Sequence, residues 1–430
     1  MCLPMLARAS SITLSGQLIR VGINLALHVL IARSLSLEDR GVYALAVSVG
    51  ATLLLVTNWG NEYGVRYLYN TNKISKQDLV LYLLATSAVS FFAACALLHL
   101  GMVVLPLETW FTDGLFLPLL AVALAFSQLL CTQVNVFLTL DHKYTTAATI
   151  AIIEELLKIG LVACLLLAGI TPSAIVWCFI TVNLAIFFFV LVRFELLPRR
   201  NSKLEISQMA AVYSYGLRSL LLNASGYGYT HIPILMLSTR LSPEQIGLFS
   251  VIYNLAGRIQ VLPDAINRVM VPLSRDSLND ARLMLVIKVI AIIFLVVAGL
   301  LLIFFHFGNS ILYILFGEQY AGFGFLLTLC LFGFGFRFMT RPIEVFYIEV
   351  VGRPGLVSVF QLMALAFLVT ACALSTASDD LESAVQAIAG SMVLSFILIA
   401  VRFCVQEEIN FVPALSQLRR SLDVKRQGKG

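Results

Sequence analysis

An arginine stands near the middle of a stretch that is otherwise apolar enough to cross a membrane, TLSGQLIRVGINLALHVL at residues 13–30. At about 100° per residue, Arg20 shares one helix face with Gln17, Asn24 and His28, while the opposite face is aliphatic. A guanidinium binds carboxylate or phosphate oxygens with planar donors that stay charged. The stripe therefore predicts a surface, turned toward protein or a water-filled cavity, that can hold an anion.

Arg20 also has a structural interpretation, either as one half of an ion pair or as a side chain that snorkels to the interface. Snorkelling is disfavoured because Arg20 lies well inside the span. An arginine at mid-bilayer costs at least about 2.5–3.5 kcal/mol, so it is rarely left facing lipid. We expect Arg20 to line a cavity, with the ion pair as the alternative.

A second group of charges lies near Pro263, where Arg258, Asp264 and Arg268 occur in one apolar segment. Asp264 and Arg268 are spaced i,i+4 and can neutralise each other. Arg258 has no partner at helical spacing, so it is the better candidate for binding an anion.

Two further clusters admit both structural and functional interpretations. Glu154 and Lys158 are spaced i,i+4 and are expected to pair, which leaves Glu155 over. The pair is interpreted as structural, with a coupling-ion site as the alternative. Arg337 and Arg341, with a glutamate three residues further on, are expected to anchor a helix end at the membrane interface.

The composition requires a membrane protein. Of 430 residues, 60% are hydrophobic and 12% charged, whereas soluble domains carry about 25% charged residues. The eight cysteines form no CxxC pair and fall almost entirely in apolar runs, so neither disulfides nor a metal site is expected. No catalytic motif is present, so the protein is not expected to be an enzyme or to need a cofactor.

Twelve apolar segments approach the roughly 20 residues needed to cross a bilayer as a helix. Their expected limits are 12–32, 41–60, 79–100, 115–140, 147–168, 174–194, 211–237, 247–270, 287–307, 321–340, 356–375 and 384–403. With the N-terminus and every second connection inside, 20 Lys or Arg lie inside and three, Arg33, Arg40 and Arg240, lie outside. The positive-inside rule then places both termini in the cytoplasm. This distribution also argues against nucleic acid as the partner of the basic residues.

An internal repeat links the two halves of the chain. LSLEDRGVYALAVSV at residues 35–49 resembles LSPEQIGLFSVIYNL at residues 241–255. Residues 242–245 in the second copy have the pattern of a helix capping box with proline at the first helical position. Six spans separate the copies, so the repeat is parallel and the halves share one orientation.

These motifs resemble those of the polysaccharide-transporter family, the flippases for lipid-linked oligosaccharides in the multidrug/oligosaccharidyl-lipid/polysaccharide (MOP) superfamily. The similarity rests on IARSLSLEDRGVYAL, STRLSPEQIGLFSV, LFGEQYAG at 315–322 and VVGRPG at 350–355. It implies an all-α polytopic fold of twelve transmembrane helices in two six-helix lobes, like a MATE transporter. The lobes are expected at 1–206 and 207–405, followed by a basic cytoplasmic tail at 406–430.

The resemblance also implies the cargo and its route. A polyprenyl-diphosphate-linked oligosaccharide would cross a bacterial inner membrane by alternating access, for O-antigen, capsule or exopolysaccharide synthesis. Candidate protein partners are a polysaccharide polymerase and glycosyltransferases. The expected substrate-binding residues are Arg20, Gln17, Asn24, Arg218, Asn223, Tyr227, Thr230, Arg258 and Arg268, and the candidate ion-coupling residues are Glu62 and Asp264.

Two other functions stay open at this point. A multidrug or cation antiporter of the same superfamily would need an acidic cavity, whereas the first span offers Arg20 and no acid. A non-transporting scaffold for glycan-assembly enzymes would tolerate substitutions in the cavity.

Overall fold

The computed structural model of the protein describes residues 3–58, 60–71, 74, 76–104, 116–141, 143–194, 205–260, 279–351, 353–375 and 380–407. Within these ranges the chain forms thirteen α-helices and no β-strand. The helices are α1 Leu3–Ser34, α2 Leu37–Asn58, α3 Asn61–Asn70, α4 Lys76–Val104, α5 Phe116–Leu140, α6 Tyr144–Ala168, α7 Pro172–Arg193, α8 Ile206–Leu237, α9 Pro243–Gly257, α10 Asn279–Phe316, α11 Gly324–Val345, α12 Pro354–Ser375 and α13 Leu381–Gln406.

Twelve of these helices overlap the apolar segments of the sequence, and the short helix α3 is an addition. The overlap is partial for the segment expected at 247–270, because α9 ends at Gly257 and residues 261–270 lie outside the described residues. It begins after Gly60, whose φ of 65° is left-handed and lets the chain turn sharply out of α2. Eight of the helices are long and apolar enough to cross a membrane, so the protein is a multi-pass membrane protein. The number of twelve crossings stays a prediction, because α1, α6, α8 and α9 are not among those eight.

Both copies of the repeated sequence cap a helix. Ser36 Oγ accepts a hydrogen bond from the Asp39 amide at 3.0 Å at the start of α2. At the start of α9, Ser242 and Gln245 exchange side-chain and backbone hydrogen bonds. The capping box with Pro243 at the first helical position is therefore confirmed.

By the hydrophobic cores they share, the helices divide into two groups, α1–α7 and α8–α13, and α2 and α3 of the first group also pack against α8 and α9 of the second. Two adjoining hydrophobic cores hold the first group together, around Leu45 and Phe137 respectively. A third core holds the second group, around Tyr253, Phe334 and Leu368. The boundary between the expected lobes, at residues 206 and 207, stays a prediction.

The two groups meet backbone to backbone at the end of the bundle that holds the α1–α2 and α8–α9 connections. We call it the outer end, after the side on which the charge pattern predicts it to lie. A Cβ at Gly41 of α2 would overlap the Pro243 carbonyl of α9, and one at Gly247 would overlap the Leu37 carbonyl. Only glycine allows helices to approach so closely at these two positions.

Side chains add a second link at the outer end. Arg33, at the end of α1, donates from Nε to the Leu315 carbonyl at 2.8 Å and from Nη2 to the Ile314 carbonyl. Gln319 donates to the Ala32 carbonyl at 3.0 Å. The last carbonyls of α1 and α10 thus receive donors from the opposite group of helices, which ties the groups together.

Candidate functional site

A cavity of about 760 Å³ lies between the two helix groups. Along α1 its lining passes from Gly16 through Arg20 and Asn24 to Ile31. Arg40 bounds the cavity near the outer end. In the opposite direction the cavity reaches the end of α5 and the start of α6. Arg20, Asn24 and His28 of the stripe predicted on the first span therefore line this cavity.

Arg20 is both ion-paired and exposed to the cavity. Its Nε lies 3.4 Å from Oε1 of Glu155, and 45% of its side chain is exposed against 4% for Glu155. Asn24 donates from Nδ2 to the other carboxylate oxygen at 3.0 Å. Among the described residues none accepts a hydrogen bond from the terminal nitrogens of Arg20. Arg20 is therefore both one half of an ion pair and a side chain that lines the cavity.

The neighbouring carboxylate, Glu154, forms the pair predicted from its spacing. Lys158 Nζ donates to Glu154 Oε1 at 2.5 Å, with both side chains at least nine-tenths buried. Glu155, which has no partner at helical spacing, is the carboxylate of α6 that contacts α1. The two carboxylates of α6 therefore pair with one cation of α6, Lys158, and one cation of α1, Arg20.

Arg258 reaches across to the first helix group. It lies in the 3₁₀ turn that follows α9, and its Nη2 donates to His28 Nε2 at 2.6 Å. The other ring nitrogen of His28 lies 3.4 Å from Nη2 of Arg40. A neutral imidazole accepts at one nitrogen and a protonated one at none, so His28 satisfies at most one of the two guanidinium groups.

Arg40 was assigned by its sequence position to an outside connection, but the structure buries it. The residue is 2% exposed, lines the cavity, and stacks 5.0 Å above the Tyr43 ring. Among the described residues, its Nε and Nη1 have no hydrogen-bond partner, and the same is true of the buried Tyr320 hydroxyl. Burial raises the pKa of Tyr320 to about 12 although Arg40 acts to lower it, so this hydroxyl stays a proton donor at neutral pH.

A polar stripe on α5 escaped the sequence analysis. Gln128, Thr132, Asn135 and Thr139 follow one another at spacings of four, three and four residues and line the cavity. That periodicity inside an apolar span was the available signal. The stripe adds four polar side chains that can bind hydroxyls to the lining of the cavity.

The second helix group contributes both cavity residues and an ion network. Tyr227 and Thr230 line the cavity, and their predicted role in binding substrate stays a prediction. Arg337 does not anchor an interface: it is buried, and its Nη1 donates to Glu344 at 2.6 Å. Arg341 also donates to Glu344, at 2.9 Å, so the two arginines share one carboxylate within α11.

Several predicted site residues fall outside what the structure describes. The side chains of Gln17, Glu62, Arg218 and Asn223 are not among the described ones, and Asp264 and Arg268 lie in the undescribed segment 261–278. Their roles stay predictions. The structure brings together Arg20, Asn24, Tyr227, Thr230 and Arg258 around one cavity.

Comparisons with known proteins agree with this architecture. A family model described as "Polysaccharide biosynthesis protein" matches residues 30–323. The solved structure of the lipid II flippase MurJ, in an inward closed conformation, superposes with a TM-score of 0.70 at 13% identity, covering 91% of this chain and 86% of the other. An inward-facing MATE multidrug transporter of the MOP superfamily gives 0.63 at 14% identity, covering 93% and 98%.

An outward-facing MATE transporter gives a TM-score of 0.54 at 13% identity, covering 94% and 95% of the two chains. At these identities the solved structures show a shared fold. A search of curated protein sequences finds no match.

Proposed function

Because this chain belongs to the polysaccharide biosynthesis protein family and has the fold of MOP-superfamily transporters, we propose that it is a flippase for a polyprenyl-diphosphate-linked oligosaccharide. In this proposal the headgroup enters the cavity from the cytoplasmic side of a bacterial inner membrane. Alternating access then exposes it outside, for the synthesis of O-antigen, capsule or exopolysaccharide.

The observation that carries the proposal is the charge of the cavity. Its lining holds four cations, Arg20, Arg40, Lys158 and Arg258, against two carboxylates, Glu154 and Glu155. A cationic lining attracts an anionic headgroup and repels the cationic compounds that a cation antiporter would carry. This supports the flippase over the antiporter.

Arg20 is the residue best placed to hold the diphosphate. It is about half exposed, and Glu155 occupies only its Nε edge. The terminal nitrogens remain for phosphate oxygens, which guanidinium binds in bidentate geometry. Arg258 lies on the far side of the cavity, close enough to Arg20 and Glu155 to interact electrostatically with both. The diphosphate would bind between the two arginines, with Arg218 or Arg268 as further cationic partners.

Neutral polar groups would hold the sugars. Asn24, Gln128 and Asn135 offer amide groups on two facing helices, and Tyr227 and Thr230 add hydroxyls from the second helix group. Gln17 and Asn223 complete the predicted set. The polyprenyl chain would stay in the bilayer between the lobes, because transferring an apolar chain into a polar cavity gains no hydrophobic free energy.

The membrane potential favours this direction of transport. Moving a negative charge out of a cell whose interior is negative gains about 2.3 kcal/mol per charge per 100 mV. Proton counter-transport through Glu62 or Asp264 is the alternative source of free energy. Flipping that is unaffected by Glu62→Gln and Asp264→Asn would exclude these two residues as the coupling groups.

Complementation in the native cell tests the proposal. Cells that carry Arg20→Ala should lose surface polysaccharide, with normal amounts of protein in the membrane, and Arg20→Lys should restore part of it. Arg240→Ala, which removes an exposed arginine remote from the cavity lining, is the matched control and should have no effect. Normal polysaccharide with Arg20→Ala would make Arg20 structural and favour the scaffold interpretation.

A further inference from the structure

An apolar groove runs along the second helix group between α12 and α13. Its volume is about 470 Å³, and ten of its twelve lining residues are apolar, among them the exposed Val359, Met363, Val401 and Val405. Both helices are long and apolar enough to cross a membrane. Exposed apolar side chains on such helices face the hydrocarbon of the bilayer, so the groove opens to lipid and a lipid chain can enter it.

The groove is as deep as one leaflet of a bilayer. On α12 its lining runs from Leu356 to Phe367, and on α13 from Val405 back to Ser395. At 1.5 Å per residue these stretches are about 15–17 Å long, and half of a hydrocarbon core is about 15 Å. Leu356 and Val405 lie at the end of the bundle opposite the outer end, which we call the inner end. The groove therefore matches the length of an acyl chain from the leaflet at the inner end.

Positive charge lies at the inner end of the groove. Arg402 lines the groove, and Arg353 directly precedes α12, whose positive dipole end lies there too. Both arginines are exposed and close enough to the Tyr347 hydroxyl to interact with it electrostatically. Among the described residues neither guanidinium forms an ion pair. The nearby carboxylate of Glu407 accepts a hydrogen bond from Tyr347 at 2.9 Å. Two arginines against this one carboxylate leave a net positive charge.

We propose that this groove is a binding site for an anionic phospholipid of the leaflet at the inner end. One acyl chain lies between α12 and α13, and the phosphate binds to Arg402, with Arg353 as the second cation. The arginine stem can pack along the apolar groove while its guanidinium reaches the headgroups, where its planar donors fit phosphate oxygens. A zwitterionic lipid offers the same chains, but its own ammonium group weakens the attraction, so the site selects for net negative charge.

This lipid site is separate from the central cavity. The groove and the cavity share no lining residue. Helix α12 packs against α8 through another face, where Leu365 meets Gly228. A cargo whose diphosphate binds at Arg20 is held in the cavity, so the phosphate at Arg402 belongs to a different molecule. The inference therefore goes beyond the proposed flippase function and does not depend on it.

Lipid binding to the purified full-length protein, measured by native mass spectrometry, tests the inference. Dioleoyl-phosphatidylglycerol is the anionic probe, and dioleoyl-phosphatidylcholine carries the same chains on a zwitterionic headgroup. We expect the first phosphatidylglycerol to bind about fivefold more tightly, because arginines near the membrane surface attract anionic headgroups. Arg402→Gln should remove most of this preference, and Arg402→Lys should keep most of it. Arg193→Gln is the matched control, because Arg193 is an exposed arginine at the inner end of α7, outside the groove.

A second pair of variants tests the apolar part of the site. Val401→Trp fills the groove and should weaken phosphatidylglycerol binding at least about fivefold, because the chain loses its apolar contacts. Leu374→Trp, at an exposed position of α12 outside the groove, should leave binding unchanged.

Three results would overturn the inference. The first is equal affinity of the wild-type protein for the two lipids, and the second is a preference that survives Arg402→Gln or binding that survives Val401→Trp. The third is tighter binding of a polyprenyl phosphate than of phosphatidylglycerol, which would assign the groove to the chain of the cargo. None of these variants changes a residue of the cavity lining, so their outcomes are independent of the diphosphate site at Arg20.

Discussion

Arg20 and Glu155 are joined by a single contact of 3.4 Å between Nε and Oε1, which leaves the terminal nitrogens of the guanidinium on the cavity. The carboxylate thereby occupies the edge of Arg20 that a phosphate would otherwise share. Asn24 holds the second oxygen of Glu155 at 3.0 Å, so the carboxylate is fixed while the guanidinium is half exposed. Glu155 both orients Arg20 and competes with an incoming anion.

Glu155→Gln should therefore increase the affinity for pyrophosphate. A partly exposed ion pair is worth about 0.2–1 kcal/mol, so removing the competitor should strengthen binding by about 1.4- to fivefold. Calorimetric titration of the purified protein measures this, with Glu244→Gln on the surface as the control. Weaker binding by Glu155→Gln would show that Glu155 acts chiefly by positioning Arg20.

The glycine contacts at the outer end predict a gate. Gly41→Val places a side chain where the Pro243 carbonyl lies, so the two helix groups should fail to close there. A cysteine at Ser48, which lines the cavity, should then react faster with a membrane-impermeant maleimide added outside. Gly299→Val is the matched control, because a Cβ at Gly299 meets no atom within 4 Å. Unchanged labelling in the Gly41→Val protein would contradict an outer gate at this contact.

The buried pair of Glu154 and Lys158 should contribute to stability rather than to binding. Lys158→Met leaves a carboxylate that is about 95% buried without a cation, and breaking such a pair costs about 3–5 kcal/mol. The double variant Glu154→Gln, Lys158→Met removes both charges and should be much less destabilised. Thermal unfolding of the detergent-solubilised protein measures both. Equal melting temperatures for the single variant and the wild type would show that Lys158 is not held by this pair.

The polar stripe on α5 should contribute to binding of the sugars and not to binding of the diphosphate. Thr132→Ala together with Asn135→Ala should slow flipping of a lipid-linked oligosaccharide by several-fold and leave pyrophosphate affinity unchanged. Thr181→Ala on α7 is the control, because Thr181, like Thr132, donates only to its own helix backbone and is exposed, but it does not line the cavity. Loss of pyrophosphate binding in the double variant would mean that the stripe shapes the Arg20 site as well.

Much of the fold could be predicted because each helix carries its own signal. Apolar length located twelve helices, and Ser242 with Gln245 located a helix start to the residue. The resemblance to the polysaccharide-transporter family is confirmed by the family match over residues 30–323. Helix α3 was missed because ten residues with a polar face give no membrane-span signal.

The candidate site was predictable only where the relevant residues share one helix. The stripe through Arg20 and Asn24 followed from 3.6-residue periodicity, and so did the Glu154–Lys158 pair. The contacts of Arg20 with Glu155 and of Arg258 with His28 join residues 135 and 230 positions apart, so tertiary packing alone decides them. The burial of Arg40 was not predicted for the same reason, since it arises where α2 meets the second helix group.

The most direct test of the account is flipping in liposomes that contain the purified protein and a fluorescent polyprenyl-diphosphate-linked oligosaccharide. A membrane-impermeant reductant reports how fast the labelled headgroup moves between leaflets. The account predicts rapid exchange with the wild-type protein and with Arg240→Ala, a loss of at least tenfold with Arg20→Ala, and partial recovery with Arg20→Lys. Exchange by Arg20→Ala at the wild-type rate would contradict the claim that a cationic cavity carries the diphosphate.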